Sequence, residues 1–291
     1  MFANHPARSA KGIGQYGLDE PREFRNNNDL APDVYHGMEG APGHQAGGLN
    51  GGDRGAYGND QARTFGGFDQ MTAIVGGLWD SLLGEGRRFW IVATSDSHVN
   101  FADPQKPGSD FWPGQYQKTY VLADRTYNDI LDGLRNGRIF AVAGDLISEL
   151  DIRAESGSRQ AATGETLQMS KGDDIKFTVR FHVPEGKNAN GDNPVVRRVD
   201  VIVGDVHGPV RDRNSDKNES TKVFARVSEK EWTMQGNSYS FSVTLPKVDR
   251  NVYIRVRGTA SAELEPAMDA KGENPWHDLW FYSNPVFVEV D

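Results

Sequence analysis

The 291-residue chain contains no cysteine, which excludes disulfides and thiolate metal sites and leaves the redox compartment unread. No apolar run approaches the roughly 20 residues that a membrane helix needs, so no membrane partner is expected. Positive charge is also scarce: 32 Lys and Arg stand against 41 Asp and Glu, a formal net charge of −9. Without a basic stripe to replace the counterions of a polyanion, a nucleic-acid partner is not expected. A small anionic or ester substrate stays compatible, because bound metal supplies positive charge locally. There is no nucleophile elbow, phosphate-binding glycine motif or dinucleotide fingerprint; Gly12-Ile13-Gly14 lacks the strand before and the helix after that such a site requires. The start also lacks the basic, apolar and small-residue order of a signal peptide. Because Met1 stands almost on top of a candidate ligand, a natural N-terminus further upstream is expected, and the compartment is left unassigned. Nothing opposes a homo-oligomer, and nothing specifies one.

What is present supports a folded core. Hydrophobic residues make up 37% and aromatics 10%, and the length allows two ordinary domains. Over 1–150, strand-like and helix-like stretches alternate. Residues 1–4 read as the end of a strand and 33–39 as a second short strand leading into a loop. Residues 40–68 carry ten glycines with Tyr57, Phe65 and Phe68 among them, the composition of a lid or binding loop. The spacing of Met71, Ile74, Val75, Leu78, Leu82 and Leu83 predicts a helix over 69–85. A strand at 89–94, a Pro/Gly loop at 99–115, a strand at 118–122 and a helix at 127–136 follow, the last capped by Asp124 or Thr126. Repeated strand-helix-strand order predicts a parallel arrangement, barrel-like or doubly wound. From 151 to 291, alternating segments with no helical period predict a β-sandwich of about seven strands. The expected fold class is α/β plus all-β, divided near residue 150.

The sharpest chemical signal is Ala93-Thr94-Ser95-Asp96-Ser97-His98, directly after Phe89-Trp90-Ile91-Val92. Period-2 side chains put Asp96 and His98 on one face. A hard oxygen beside an imidazole nitrogen is the mixed set that zinc, manganese and iron sites use. Strand C-termini that open into loops are where α/β active sites lie. The plain alternative is a turn-capping Asp96 and a polar loop His98. Phe2-Ala3-Asn4-His5-Pro6 has the same form, with a core histidine as the alternative for His5. Met38-Glu39-Gly40-Ala41-Pro42-Gly43-His44-Gln45 offers Glu39 and His44 for substrate contacts, or for simple loop chemistry. His36, His182, His207 and His277 read as structural, and Asp145 as a turn residue.

With Asn4-His5-Pro6, the 39–45 loop and Thr94-Ser95-Asp96-Ser97-His98 in view, the chain resembles polymerase-and-histidinol-phosphatase (PHP) domain proteins. The subgroup it is most similar to is the carbaryl-hydrolase-like metallohydrolases, which append a β-rich C-terminal domain. Residues 130–148 resemble that family's barrel-closing segment, and Trp280-Phe281-Tyr282-Ser283-Asn284-Pro285-Val286-Phe287-Val288 its terminal strand. The resemblance implies a distorted β/α barrel with divalent metal ions at its mouth, zinc, manganese or iron. It implies His5, Asp96 and His98 as metal ligands, with Asp96 and His98 catalytic in hydrolysing a phosphoester or related ester. Arg8 and Lys11 would clamp an anionic substrate, with Glu39 and His44 contacting it. The family's opening His-x-His element and its middle glutamate and histidine have no counterpart here. A partial PHP-like barrel is therefore expected over 1–150, with activity low unless the missing strands are supplied. The competing expectation is a non-catalytic module whose β-sandwich docks a carbohydrate or protein partner through Trp232, Trp276 and Tyr282. Strand alternation sets against this, turning Trp280 and Tyr282 toward the core.

Overall fold

The computed structural model describes residues 1–8, 10, 12–17, 19–43, 64–97 and 111–291. Strand dominates over helix, 37% against 12%, and is divided among several sheets. A parallel sheet opens the chain, in the order β1 (Phe2–Ala3), β2 (Gly37–Pro42), β3 (Trp90–Thr94). β2 is buried throughout and β3 at all but its last residue, as expected of apolar parallel strands covered on both faces.

Between β1 and β2 lies α1 (Pro21–Leu30), a helix that hydrophobic periodicity does not announce. Its signals are local: proline in the first turn and a reciprocal capping box between Glu20 and Glu23. Its anchor is a charge. Arg25 is fully buried and bonds Glu85 at 2.5 Å, Ser81 at 3.0 Å and the carbonyl oxygens of Pro21 and Arg213. The helix expected over 69–85 is split into α2 (Gln70–Ala73) and α3 (Leu78–Gly84). Gly76 breaks it, with φ at +77° in the left-handed region that glycine alone enters freely. The fourth helix, α4 (Tyr127–Arg135), stands where the sequence predicts it, with the Thr126 hydroxyl accepting from the Asp129 N–H.

The parallel pattern stops at β3, contrary to expectation. β4 (Gln117–Val121) and β5 (Ile139–Ala143) run antiparallel, and α4 is an excursion in the loop between them. The Leu122 N–H bonds the Arg138 carbonyl at 2.8 Å, keeping the two strands together up to the helix. The connection therefore reverses the chain instead of crossing back over the sheet, a distinction invisible in strand-helix-strand order. β5 then pairs with β15 (Trp280–Ser283), so strands on both sides of residue 150 share one sheet. That eight-stranded sheet adds β10 (Arg198–Asp205), β11 (Lys222–Ser228) and β14 (Val252–Thr259) along the path β11-β10-β14-β15-β5-β4. β16 (Val286–Val290) joins through β14 and carries β8 (Thr166–Met169).

A five-stranded sheet covers it in the order β12 (Thr233–Gln235), β13 (Ser238–Leu245), β9 (Ile175–His182), β6 (Glu149–Ser156), β7 (Arg159–Ala162). β9 buries Ile175, Phe177, Val179 and Phe181 in strict alternation, and Phe181 meets Phe281 of β15 at 6.4 Å. Strands β7, β8 and β12, of three or four residues each, are too short for a period to register.

Two groups of contacts are prominent among those that join the parallel sheet and its helices to the rest. Along the outer edge of β3, side chains replace a neighbouring strand. Asn284 accepts from the Ile91 N–H at 2.9 Å and donates to the carbonyls of Ile91 and Ile139, while the Thr119 hydroxyl accepts from Ala93 N–H and donates to the Ala93 carbonyl. On the face of the large sheet, Tyr253 and Arg255 of β14 reach Asp80 of α3, with the guanidinium bonding both carboxylate oxygens at 2.9 and 2.7 Å. All three side chains are buried.

Candidate functional site at the mouth of the parallel sheet

Because β1, β2 and β3 are parallel, their C-terminal ends open on the same side. His5 follows β1 by two residues and Asp96 follows β3 by two. Both have positive φ, 33° and 46°, in a set of four such non-glycine residues among the described ones. Left-handed backbone at non-glycine positions costs on the order of 1–3 kcal/mol and concentrates at binding sites.

Glu39 connects them. It lies in β2 beside a register shift between Glu39 and Ala41, an irregularity of the kind that re-aims a side chain. Its buried carboxylate accepts from the His5 backbone N–H and from the Thr94 hydroxyl, tying the exit of β1 to the end of β3. Glu39 thus holds main chain and strand end in place from within the sheet, a different setting from the loop position expected for a substrate contact. Burial pushes its carboxyl above the usual range; the two hydrogen bonds oppose that, and the nearby Asp96 charge adds to it while His5 works against it.

Two more carboxylates belong to this mouth, and neither was singled out in the sequence. Asp69 caps α2 by accepting from Met71 N–H at 2.8 Å, and its other oxygen accepts from Ala7 N–H at 3.1 Å in the turn after His5. It is buried, and burial pushes its pKa to about 7, with Glu39 and Asp19 adding repulsion against those two bonds. Asp19 is also raised, by burial first and by Glu23 next, with His5 opposing. In the sequence, Asp69 is indistinguishable from an ordinary N-cap, and Asp19 sits in a polar stretch without periodicity.

Arg8, half-buried, closes the turn through its N–H to the His5 carbonyl at 3.0 Å. Lys11, His44 and His98 lie outside the described residues. So does most of the glycine-rich 40–68 loop. The arrangement gathers one imidazole and four carboxylates, at least three of them held against their ordinary ionisation by burial and mutual repulsion. The ligand atoms of His5 and of these four carboxylates do not meet within 4.8 Å in any group of three.

Among the described residues, one trio brings ligand atoms within 4.8 Å of one another: Asp269, Glu273 and Asp278. It could hold a metal ion, and nothing in the sequence marked it. Each member also has a local task. Asp269 accepts from Thr64 Oγ1 and from the N–H groups of Gly66 and Gly67, Glu273 from Ala270 N–H, and Asp278 from the Trp280 indole.

The other described histidines make local contacts, with His207 and His277 exposed. His182 bonds Ser238 across β9 and β13, His207 bonds the Gly208 carbonyl, and buried His36 packs edge-on against Phe2. Of the aromatics that a sandwich-docking module would need, Trp276 and Tyr282 are buried. Only Trp232 lines an open cleft, with Phe181, Met234 and Tyr239. No helix among the described residues is long and apolar enough to cross a membrane. No family model, curated protein or solved structure matches the chain.

Proposed function

We propose that the chain is part of a metal-dependent hydrolase of the PHP phosphoesterase type, cleaving a phosphoester or a related ester. What supports this reading is the position of His5 and Asp96, each two residues past the C-terminal end of a parallel strand, with Glu39 of the strand between them bonded to the His5 N–H and the Thr94 hydroxyl; this is the end that α/β sheets use for chemistry. In this reading His5, Asp96 and His98 hold a divalent ion, and the barrel to which β1–β3 belong is partial. The ion supplies Lewis acidity toward a phosphoryl or acyl oxygen. His5 binds through one imidazole nitrogen, and Asp96 through its carboxylate. Glu39 fixes the approach of the His5 backbone to the end of β3, so the spacing between the two ligands is set inside the sheet. Arg8 and Lys11 orient the anionic part of the substrate, and His44 contacts it from the glycine-rich loop.

Elemental analysis of the purified chain tests the metal, together with turnover of bis(p-nitrophenyl) phosphate in added manganese. Asp96→Asn and His98→Ala are expected to lose the bound ion and any turnover with it. Retention of the ion in both variants, with its loss in Glu273→Gln, would assign the metal to the acidic trio and overturn the proposal.

A further inference from the structure

We propose that the cleft at the opposite, N-terminal end of the parallel sheet binds a small anionic metabolite bearing a phosphoryl or carboxylate group, anchored by Arg88 and Arg135. The cleft encloses about 810 Å³ between the turn leading into β2, the segment leading into β3, the end of α4 and the start of β8. That volume lies within the range of metabolite pockets, roughly 300–1,000 Å³.

Three arginines line it, and their partners set them apart. Arg87 is neutralised, by Glu85 at 2.9 Å and Asp29 at 2.6 Å. Arg88 has no carboxylate within ion-pair distance among the described residues. It bonds the Thr166 hydroxyl at 2.5 Å, lies 3.9 Å over the Phe287 ring, and keeps an enclosed Nη1 without a partner. Burial works against its charge, opposed only by the field of Glu289. Arg135, exposed in the last turn of α4, likewise forms no ion pair with a described residue. Two carboxylates share the wall. Asp132 is held by Arg138 at 3.0 Å and Asn136 at 2.8 Å, which leaves Asp33 alone against two uncompensated guanidinium groups.

A half-buried guanidinium without a counter-ion is unfavourable by itself. Phosphoryl and carboxylate oxygens are its geometric complement, since each accepts paired N–H donors. The cleft lies at the other end of the strands from His5 and Asp96, so the proposal stands independently of the hydrolase reading.

The test is calorimetric titration of the whole chain with sodium phosphate and, separately, with citrate, in chelator and again in the Asp96→Asn variant. Saturable binding of either anion is expected, unchanged by Asp96→Asn. Phosphate alone would indicate a phosphoryl ligand, and citrate alone a carboxylate. Arg88→Gln and Arg135→Gln are each expected to weaken binding at least tenfold, while Arg226→Gln, on β11 and outside the cleft lining, leaves it unchanged. If Arg88→Gln does not fold, Arg135→Gln decides. Absence of saturable binding by both anions, or binding equally strong in Arg135→Gln, would overturn the proposal.

Discussion

Single residues at the mouth of the parallel sheet are tuned by what surrounds them, and Asp69 shows it most directly. Its folded pKa of about 7 stands well above the roughly 3.9 of an unfolded aspartate. Between those values the folded chain keeps a proton that the unfolded chain has released. Stability is therefore greatest below the unfolded value, falls as pH rises, and levels off once pH passes 7. One proton of difference corresponds to a slope of about 1.4 kcal/mol per pH unit. Urea unfolding of chelator-treated protein between pH 4 and 8 should show this decline, and Asp69→Asn should flatten it. An unchanged slope in the variant would mean that Asp69 is ionised throughout. The same residue marks a limit of sequence reading. It stands at the start of an apolar helix, where an aspartate is ordinary, and it caps α2. Its second bond, to Ala7 across 62 residues, is a tertiary fact with no local trace. The strand-end positions of His5 and Asp96 were legible because a short apolar run precedes each in the sequence.

At the level of elements, strands of five or more residues with regular alternation were readable, and directions were not. β3 falls close to its expected position, and β9, β13 and β14 lie in the half expected to be all strand, because burial on one or both faces writes a pattern into the side chains. Pairing partners leave no such pattern. The antiparallel β4–β5 pair was expected as part of a parallel layer, and α1 went unread because its buried anchor is an arginine. At the seam along β3 one amide makes three of the side-chain bonds, beside the two of Thr119. Asn284→Ala removes three hydrogen bonds and leaves the buried Ile91 N–H and carbonyl without partners. A loss of about 2–4 kcal/mol is expected, since each buried unsatisfied group costs about 1–3 kcal/mol. Chemical denaturation measures it, and Asn284→Asp, which keeps the acceptor for Ile91 N–H but loses the donor, should also destabilise. A loss under 0.5 kcal/mol would mean that β3 is closed by other contacts.

For the whole molecule, the contact between Asp80 and β14 decides whether the two halves fold as one. The Arg255 guanidinium and the Asp80 carboxylate are both fully buried at 2.7 Å, with Tyr253 donating to the same carboxylate. Removing one member of such a pair strands a charge and costs about 3–5 kcal/mol. Asp80→Ala is therefore expected to lower the unfolding midpoint of the entire chain in a single transition. The double variant Asp80→Ala/Arg255→Met should recover part of the loss, because it removes the stranded charge as well. Two separated transitions in wild type would show that the halves unfold independently. A boundary near residue 150 was the natural reading of a change in periodicity, yet β4 and β5 belong to the large sheet. Composition changes where the chain changes its pattern, and the sheet takes no notice of where that happens.

The amide that seals β3 arrives late. Ile91 and Asn284 are separated by 193 positions, so on the ribosome the first three strands are made long before the residue that covers their open flank. Until then that flank presents bare main-chain donors and acceptors to any passing chain. Nascent or shortened forms that stop before Asn284 should accordingly be the ones that cling to chaperones and clump, while a polypeptide in which Asn284 has docked does not.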